Sequence, residues 1–407
     1  CDEEAPAWHA VGVQAVRCHL YEGVAVPRPF VATLAGAADT VAARPAQSVL
    51  EVADLAVHFP VRKGFLRRTV GHVKAVDGVS LRLQPGRTLA LVGESGCGKT
   101  TVGKALLRLL EPTAGRLWLD GERYDTLPAQ ALQPLRRTVQ MVFQDPFASL
   151  DPRMRVGEII EEGLVALGIG ADHRARQARV VELLERVGLS ADMRWRYPHE
   201  FSGGQRQRIA VARALAVAPR VIVCDEPTSA LDVSVQAQLL NLMRELQREE
   251  GLTYLFITHN LAVVEYLADE VAVMYLGRIV EEGPIEHVLG VPAHPYTRAL
   301  LAAVPRIERA VGTVPDVGVA ERGSSRVEAA GGEVVGREVA AGDIPGADST
   351  PAGTIMADLP SPLAPPAGCH FHPRCPQATD VCRIRYPEPA DLGQGHRVRC
   401  HWPIVRR

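Results

Sequence analysis

From Leu50 to Phe59 apolar and polar side chains alternate (Leu-Glu-Val-Ala-Asp-Leu-Ala-Val-His-Phe), which predicts a half-buried strand. Val79–Leu83 alternates again and runs into the turn signal Pro85-Gly86. Thr88–Val92 is a continuous apolar run of buried-strand length, followed by a glycine-rich stretch and then a helical pattern to Leu110. Helical periodicity returns over Glu158–Leu167, Arg174–Val187 and Gln205–Ala216. Val221–Cys224 predicts a buried strand, Gln236–Glu249 an amphipathic helix and Thr253–Thr258 another strand. Val271–Tyr275 and Arg278–Glu282, joined at Gly277, predict a hairpin. Strands alternating with helices predict an α/β core around a parallel sheet, with a helical insert spliced into it.

The texture of the chain divides its 407 residues. Residues 23–47 are rich in Ala, Val and Pro with little periodicity and read as a linker. Residues 48–290 carry the α/β pattern, with the helical insert at about 145–216, and residues 291–306 add a C-terminal helix. Residues 307–366 are rich in Gly, Ala, Val and Pro and almost free of aromatics, a length and composition that predict a disordered linker. Residues 367–407 form a compact tail rich in Cys, His and Pro.

With 47% hydrophobic residues the chain can bury a sizeable core, and no apolar run is long enough to span a bilayer. The net charge of −2 removes any global electrostatic case for binding nucleic acid.

The chemistry concentrates in three places. Gly93-Glu94-Ser95-Gly96-Cys97-Gly98-Lys99-Thr100 fits G-x-x-x-x-G-K-[ST], with Thr101 next to it as a further nucleotide-binding candidate, and it follows an apolar strand and opens a helix. Its glycines let successive backbone N–H groups point into one concavity, which with the helix N-terminus binds phosphate oxygens. Lys99 is placed to reach the β/γ phosphates and Thr100 to hold Mg²⁺. Val221–Glu226 ends in two carboxylates that strand alternation aims differently: Asp225 suits the Mg²⁺ shell, Glu226 the polarising of an attacking water. Between these lies Ser202-Gly203-Gly204-Gln205 before a helix, a second phosphate-binding nest. One chain cannot easily bring both nests to the same phosphate, whereas a head-to-tail pair of such domains can.

Taken together and in order, these motifs across residues 48–290 resemble the ABC ATPase family. The resemblance implies a P-loop NTPase fold with a helical subdomain and an antiparallel β-subdomain, an active ATPase, and the cofactors ATP and Mg²⁺. It implies that Gly93–Thr100 is the Walker A loop, Gln144 the Q-loop residue that joins Thr100 and Asp225 around Mg²⁺, and Ser202–Gln205 the signature. Asp225 and Glu226 correspond to Walker B, Ser229 and Asp232 to the D-loop, and His259 to the switch histidine. An adenine-stacking aromatic is expected before the second strand. Counting back from the P-loop reaches Val70 instead, with Phe65 as the other candidate.

Gln144–Arg153, His294-Pro-Tyr-Thr-Arg-Ala-Leu-Leu301 and Gly368–Cys375 further resemble the ATPase subunits of oligopeptide/dipeptide importers. That likeness implies a peripheral protein on the cytoplasmic face of the membrane. Its partners are two integral-membrane permease subunits, a second ABC ATPase domain and, indirectly, an extracytoplasmic solute-binding protein. Peptides are the implied cargo; nickel chelates or other small solutes, or a soluble non-transport ABC ATPase, are the alternatives.

Cys369, Cys375, Cys382 and Cys400 have the spacing C-x5-C-x6-C-x17-C. In a reducing compartment clustered thiols point to metal ligation before disulfides. Four thiolates suit a [4Fe–4S] cluster or a structural Zn²⁺, and His370, His372, His396 and His401 stand nearby as substitutes. A tail this short and this poor in apolar residues lacks a core of its own, which favours a metal; the importer resemblance favours the cluster. The stretch from Cys1 to Cys18 ends in Val-Arg-Cys-His, as does the stretch from Cys382 to Cys400. This repeat leads to the expectation that residues 1–22 are the end of an upstream tail and that the natural protein is a tandem fusion; a processed start with an accidental repeat is the rival.

Overall fold

The computed structural model describes residues 8–11, 14–17, 48–63, 68–303, 360–361 and 363–404. The expected linker 23–47, nearly all of the expected linker 307–366, Cys1, Cys18 and Phe65 lie outside the described residues. The chain forms two compact units, residues 1–45 and 46–407. In the first, β1 (Trp8–Val11) and β2 (Gln14–Arg17) pair as an antiparallel hairpin with Trp8 opposite Arg17.

The second unit holds two sheets. The antiparallel one contains β3 (Leu50–Lys63), β4 (Arg68–Leu83), β6 (Ala114–Leu119) and β7 (Glu122–Arg123), in the order β4-β3-β6-β7. β3 and β4 run well beyond the alternating stretches that predict them. Register shifts between Val52 and Leu55 and between Val57 and His58 break the two-residue period while the ladder continues.

The larger sheet has eight strands: β5 (Thr88–Val92), β8 (Val139–Val142), β9 (Val221–Asp225), β10 (Thr253–Thr258), β11 (Glu270–Tyr275), β12 (Arg278–Pro284), β13 (Ala390–Asp391) and β14 (Arg397–Val398). Their order is β13-β14-β12-β11-β5-β10-β9-β8, parallel from β11 to β8 and antiparallel beyond. The parallel strands are mostly apolar, with polar residues chiefly at their ends, because both faces are covered. Leu276 and Gly277, both at positive φ, close the β11–β12 hairpin at the predicted place.

The helices are α1 (Lys99–Leu106), α2 (Gln133–Thr138), α3 (Pro146–Ser149), α4 (Val156–Ala166), α5 (His173–Arg186), α6 (Gly203–Leu215), α7 (Val233–Glu250), α8 (Leu261–Leu267), α9 (Ile285–Val288), α10 (Pro295–Ala302) and α11 (Asp380–Ile384). Helix α1 stops short of the predicted Leu110. Arg108 takes a left-handed backbone and turns its guanidinium onto the carbonyls of Tyr124, Asp125 and Leu127. The insert packs α4, α5 and α6 through Ile159, Ile160, Leu164, Leu183 and Ile209 into a core that continues under β9 and β10. Asp172 and Asp232 cap α5 and α7 by accepting from Ala175 N and Val235 N. A second core, with Leu50, Val79, Leu91, Leu106 and Val223, joins the antiparallel sheet to the other face of the parallel one.

The cysteine-rich tail corrects the expectation built on its lack of a core. It borrows one. Phe371 is 2% exposed and packs with Tyr275 and Tyr296, with ring centroids 5.3 and 5.4 Å away. β14 extends the main sheet, Val398 standing opposite Glu281. The Glu281 carboxylate, fully buried, accepts from Ala293 N (2.7 Å) and His294 N (2.9 Å) and bonds His396 Nε2 (2.8 Å), tying β12, the start of α10 and the tail together. Among the described residues no helix is long and apolar enough to cross a membrane.

Candidate functional site

Because β5, β10, β9 and β8 are parallel neighbours, the loops at their C-terminal ends emerge along one edge of the sheet, where α/β folds gather their ligands. The Gly93–Gly98 loop follows β5, Gln144 follows β8, Glu226 follows β9 and His259 follows β10. The topology therefore collects residues that are far apart in sequence.

Gly93 and Gly98 both have positive φ, and a Cβ on either is excluded by backbone: Met274 O would lie 2.2 Å from one and Ala75 O 2.0 Å from the other. These glycines thus serve the packing of the loop on β11 and β4 as well as its open N–H groups. Lys99, 5% exposed, donates from Nζ to Gly93 O (2.8 Å) and Glu94 O (3.0 Å). Ser95 and Gly96 are exposed at the tip, Cys97 is buried beneath it, and Thr101 lies in the first turn of α1. Burial raises the Cys97 thiol pKa against the pull of Lys99.

Thr100 Oγ1 donates to Asp225 Oδ1 at 2.9 Å. Burial and, more weakly, the neighbouring Glu226 charge raise the Asp225 pKa, while Thr100, Lys104 and Lys99 oppose them. Glu226 sits at φ 45°, a left-handed conformation that costs a non-glycine residue on the order of 1 kcal/mol and that clusters at functional sites. Its two oxygens meet different partners: Gln144 Nε2 donates to Oε2 at 3.1 Å, and His259 Nδ1 bonds Oε1 at 3.0 Å. The candidate base is thus held from both flanking loops, and the Thr100–Asp225 pair stands beside it on the same sheet edge.

Ser202 caps α6, accepting from Gln205 N, while Gln205 Oε1 accepts from Ser202 N at 3.0 Å. This capping box leaves Gly203 and Gly204 in the first turn, and α6 packs on α7. No hydrogen bond joins Ser202–Gln205 to the P-loop among the described residues, so this motif stands apart from the cluster. Ser229 Oγ donates to Glu226 O at 3.0 Å, and Asp232 caps α7. Val70, reached by counting back from the P-loop, is 60% exposed on β4.

The four tail cysteines converge. Cys369, Cys375, Cys382 and Cys400 line one small cavity with Phe371 and Trp402. Burial pushes the thiols of Cys369 and Cys400 up to about 11 and raises that of Cys375. Among the described residues no three His, Cys, Asp or Glu are grouped to hold a metal ion. The expected [4Fe–4S] cluster or zinc therefore gains no support from the ligand geometry.

Two residues of the site were not assigned from sequence. Tyr296 Oη accepts from Glu94 N at 2.9 Å, and Arg374 forms a bidentate pair with the Glu94 carboxylate. Both lie inside stretches that carry the importer resemblance, His294–Leu301 and Gly368–Cys375, but only the fold places them against the P-loop.

Comparison with known proteins shows the family. Residues 76–229 match the ABC transporter family, and residues 280–330 and 344–382 match the family described as oligopeptide/dipeptide transporter, C-terminal region. The chain is 45% identical over 356 residues to the oligopeptide transport ATP-binding protein AppF of Bacillus subtilis, covering 87% of this chain and 97% of that one. It is 44% identical over 352 residues to the dipeptide transport ATP-binding protein DppF of Haemophilus influenzae, covering 86% and 96%. It is 57% identical over 259 residues to the glutathione import ATP-binding protein GsiA of Salmonella typhimurium, covering 64% of this chain but 41% of that one. Among solved structures, the dimeric post-hydrolysis ATP-binding cassette MJ0796 bound to ADP and Pi matches with a TM-score of 0.52 and 28% identity, over 58% of this chain and 98% of that one. The chain belongs to the ATP-binding proteins of the oligopeptide/dipeptide ABC transporters.

Proposed function

We propose that this chain hydrolyses ATP at the P-loop edge of its sheet and that the hydrolysis drives import of peptides through a membrane permease. The observation that carries the reading is Glu226, held between Gln144 and His259 beside the Thr100–Asp225 pair. Gly93–Thr101 cradles the triphosphate through backbone N–H groups and Lys99. Thr100, Asp225 and Gln144 would hold Mg²⁺, which neutralises charge on the β and γ phosphates. Glu226 polarises the attacking water and His259 meets the γ-phosphate. Peptides as cargo are supported by the names of the relatives; a nickel chelate or another small solute is the competing cargo.

Ser202–Gln205, apart from its own P-loop, is suited to close on the nucleotide of a second ATPase domain, with Ser229 and Asp232 at the same junction. The dimeric state of the MJ0796 cassette supports this pairing. The second domain is supplied in cis if residues 1–22 end an upstream tail. The β1–β2 hairpin supports that reading, since it falls between Cys1 and Cys18 as β13–β14 falls between Cys382 and Cys400. A tether of this kind raises the effective concentration of one module at the other to roughly the millimolar range.

The permease contact is assigned to Gln144–Asp151. Phe147 is 63% exposed there, and a groove beside it is lined by Ser149, Asp151, Met154, Ile159 and Glu162. Two permease subunits, a position on the cytoplasmic face of the membrane and an extracytoplasmic binding protein complete the assembly. For the tail, four thiols line one cavity, as a metal or [4Fe–4S] role would require, but among the described residues no three ligands are grouped to hold an ion, which stands against it. Iron, sulfide and zinc analysis of anaerobically purified chain decides between them.

The reading is tested by reconstituting the chain with its two permeases and binding protein in proteoliposomes and following labelled di- and oligopeptides, with a nickel chelate as the second arm. ATP-dependent peptide accumulation is expected. ATP turnover with uptake of the nickel chelate alone overturns the cargo, and turnover with no uptake of either overturns transport.

A further inference from the structure

Glu94 is the second residue of the P-loop, and its carboxylate is a negative charge at the mouth of a site that receives a polyanion. The charge is not left free. Arg374 Nη1 donates to Glu94 Oε2 at 2.9 Å and Nη2 to Oε1 at 3.0 Å, and Nη1 reaches Tyr275 Oη at 3.4 Å. The Arg374 side chain is only 6% exposed. It is backed by the rings of Tyr275 and Phe371, whose centroids lie 5.8 and 6.0 Å from the guanidinium carbon. On the main-chain side Tyr296 Oη accepts from Glu94 N at 2.9 Å. One loop residue is therefore gripped twice by the C-terminal extension, through α10 and through the turn between Cys369 and Cys375.

We propose that Arg374 is a positioning residue for ATP binding: it neutralises Glu94 and, with Tyr296, holds the loop from Gly93 to Gly98 in the shape that receives the triphosphate. A bidentate guanidinium–carboxylate pair fixes direction as well as charge. Loss of the guanidinium leaves a part-buried carboxylate without its partner inside the loop that receives a polyanion. The effect is expected on binding, because among the described residues no hydrogen bond joins Glu94 or Arg374 to Glu226, whose side chain is held by Gln144 and His259 instead. The inference rests on the assignment of Gly93–Thr100 as the phosphate loop.

The test compares the full chain as wild type, Arg374→Gln, Arg374→Lys, Arg374→Gln with Glu94→Gln, and Lys99→Ala. ATP affinity is measured by calorimetry, kcat and KM by steady-state hydrolysis, and integrity by thermal unfolding. Arg374→Gln is expected to raise Kd and KM for ATP roughly tenfold, with kcat within about twofold of wild type. Arg374→Lys keeps the charge and recovers part of the affinity. Adding Glu94→Gln to Arg374→Gln recovers most of it, because no unpaired carboxylate remains. A purely structural role instead lowers kcat and unfolding temperature, leaves KM in place and shows no recovery in the double variant; that pattern overturns the proposal. If Arg374→Gln fails to fold, unchanged KM in Arg374→Lys overturns it. Weakened binding in Lys99→Ala with no effect at Arg374 sinks this inference alone, while unaffected binding in Lys99→Ala sinks the phosphate-loop assignment beneath it.

Discussion

Glu281→Ala probes how the tail is held. The carboxylate is 0% exposed and has three partners: the N–H groups of Ala293 and His294, and His396 Nε2. A hydrogen bond to a charged group contributes about 1.5–3 kcal/mol, and such contributions are not additive within one network. Truncation also leaves two backbone donors and a histidine without an acceptor in a buried place. Breaking a buried pair from one side costs about 3–5 kcal/mol, and the same range is expected here. Glu281→Gln keeps an acceptor for one of the donors and is expected to lose about half as much. Equilibrium urea unfolding gives the magnitude. Trp402, whose indole N–H donates to Thr379 Oγ1 at 3.0 Å, reports the tail locally, and limited proteolysis reports its release. A loss below about 1 kcal/mol, the size of an ordinary surface change, with the tail still protected from protease, refutes the claim that the tail is docked through Glu281.

Asp77 joins β4 to β12 through Arg278 (2.6 Å), with His58 on β3 and Lys74 on its own strand nearby; against burial, these partners lower its pKa. With the folded value below the unfolded one, its stabilisation is complete above about pH 4 and fades as pH falls further. Asp77→Asn is therefore expected to cost about 1–2 kcal/mol at pH 7 and progressively less in acid, and a pH-independent difference in unfolding free energy contradicts the assignment. Cys369 and Cys400, with thiol pKa values near 11, are expected to alkylate slowly at neutral pH and faster toward that value; rapid reaction at pH 7 in the folded chain contradicts their burial. A crosslinker placed at Ser149 is expected to reach permease cytoplasmic loops, and crosslinks to soluble proteins alone count against the coupling role of Gln144–Asp151.

The strands β5, β9 and β10 and the glycine-rich loop after β5 were legible because each is local: an apolar run of strand length stands out by itself, and after β5 a glycine-rich turn and a helix follow without interruption, whereas the parallel β8, with Gln140 inside its four residues, carries too short a run to stand out. The gathering of Gln144, Glu226 and His259 was expected from the family resemblance, but its geometry comes from strand order, which no single segment encodes. Short strands such as Glu122–Arg123 carry too few residues for a period, and β3 and β4 outrun theirs because bulges shift the alternation. The tail was misjudged for a physical reason. Its composition speaks only of the core it lacks, whereas Phe371, Glu281 and Val398 show that it shares the core of the ATPase unit. Arg374 was missed on the same ground, since 280 residues separate it from Glu94.

The central claim is that Glu226 acts on the water attacking a nucleotide bound by the Gly93–Thr101 loop. Glu226→Gln keeps the shape and an acceptor for its neighbours but removes the basic charge. The most direct measurement is ATP affinity and single-turnover hydrolysis of this variant beside wild type. The account predicts unchanged affinity and hydrolysis slower by about a hundredfold or more, the range for loss of a general base; wild-type turnover by Glu226→Gln contradicts it.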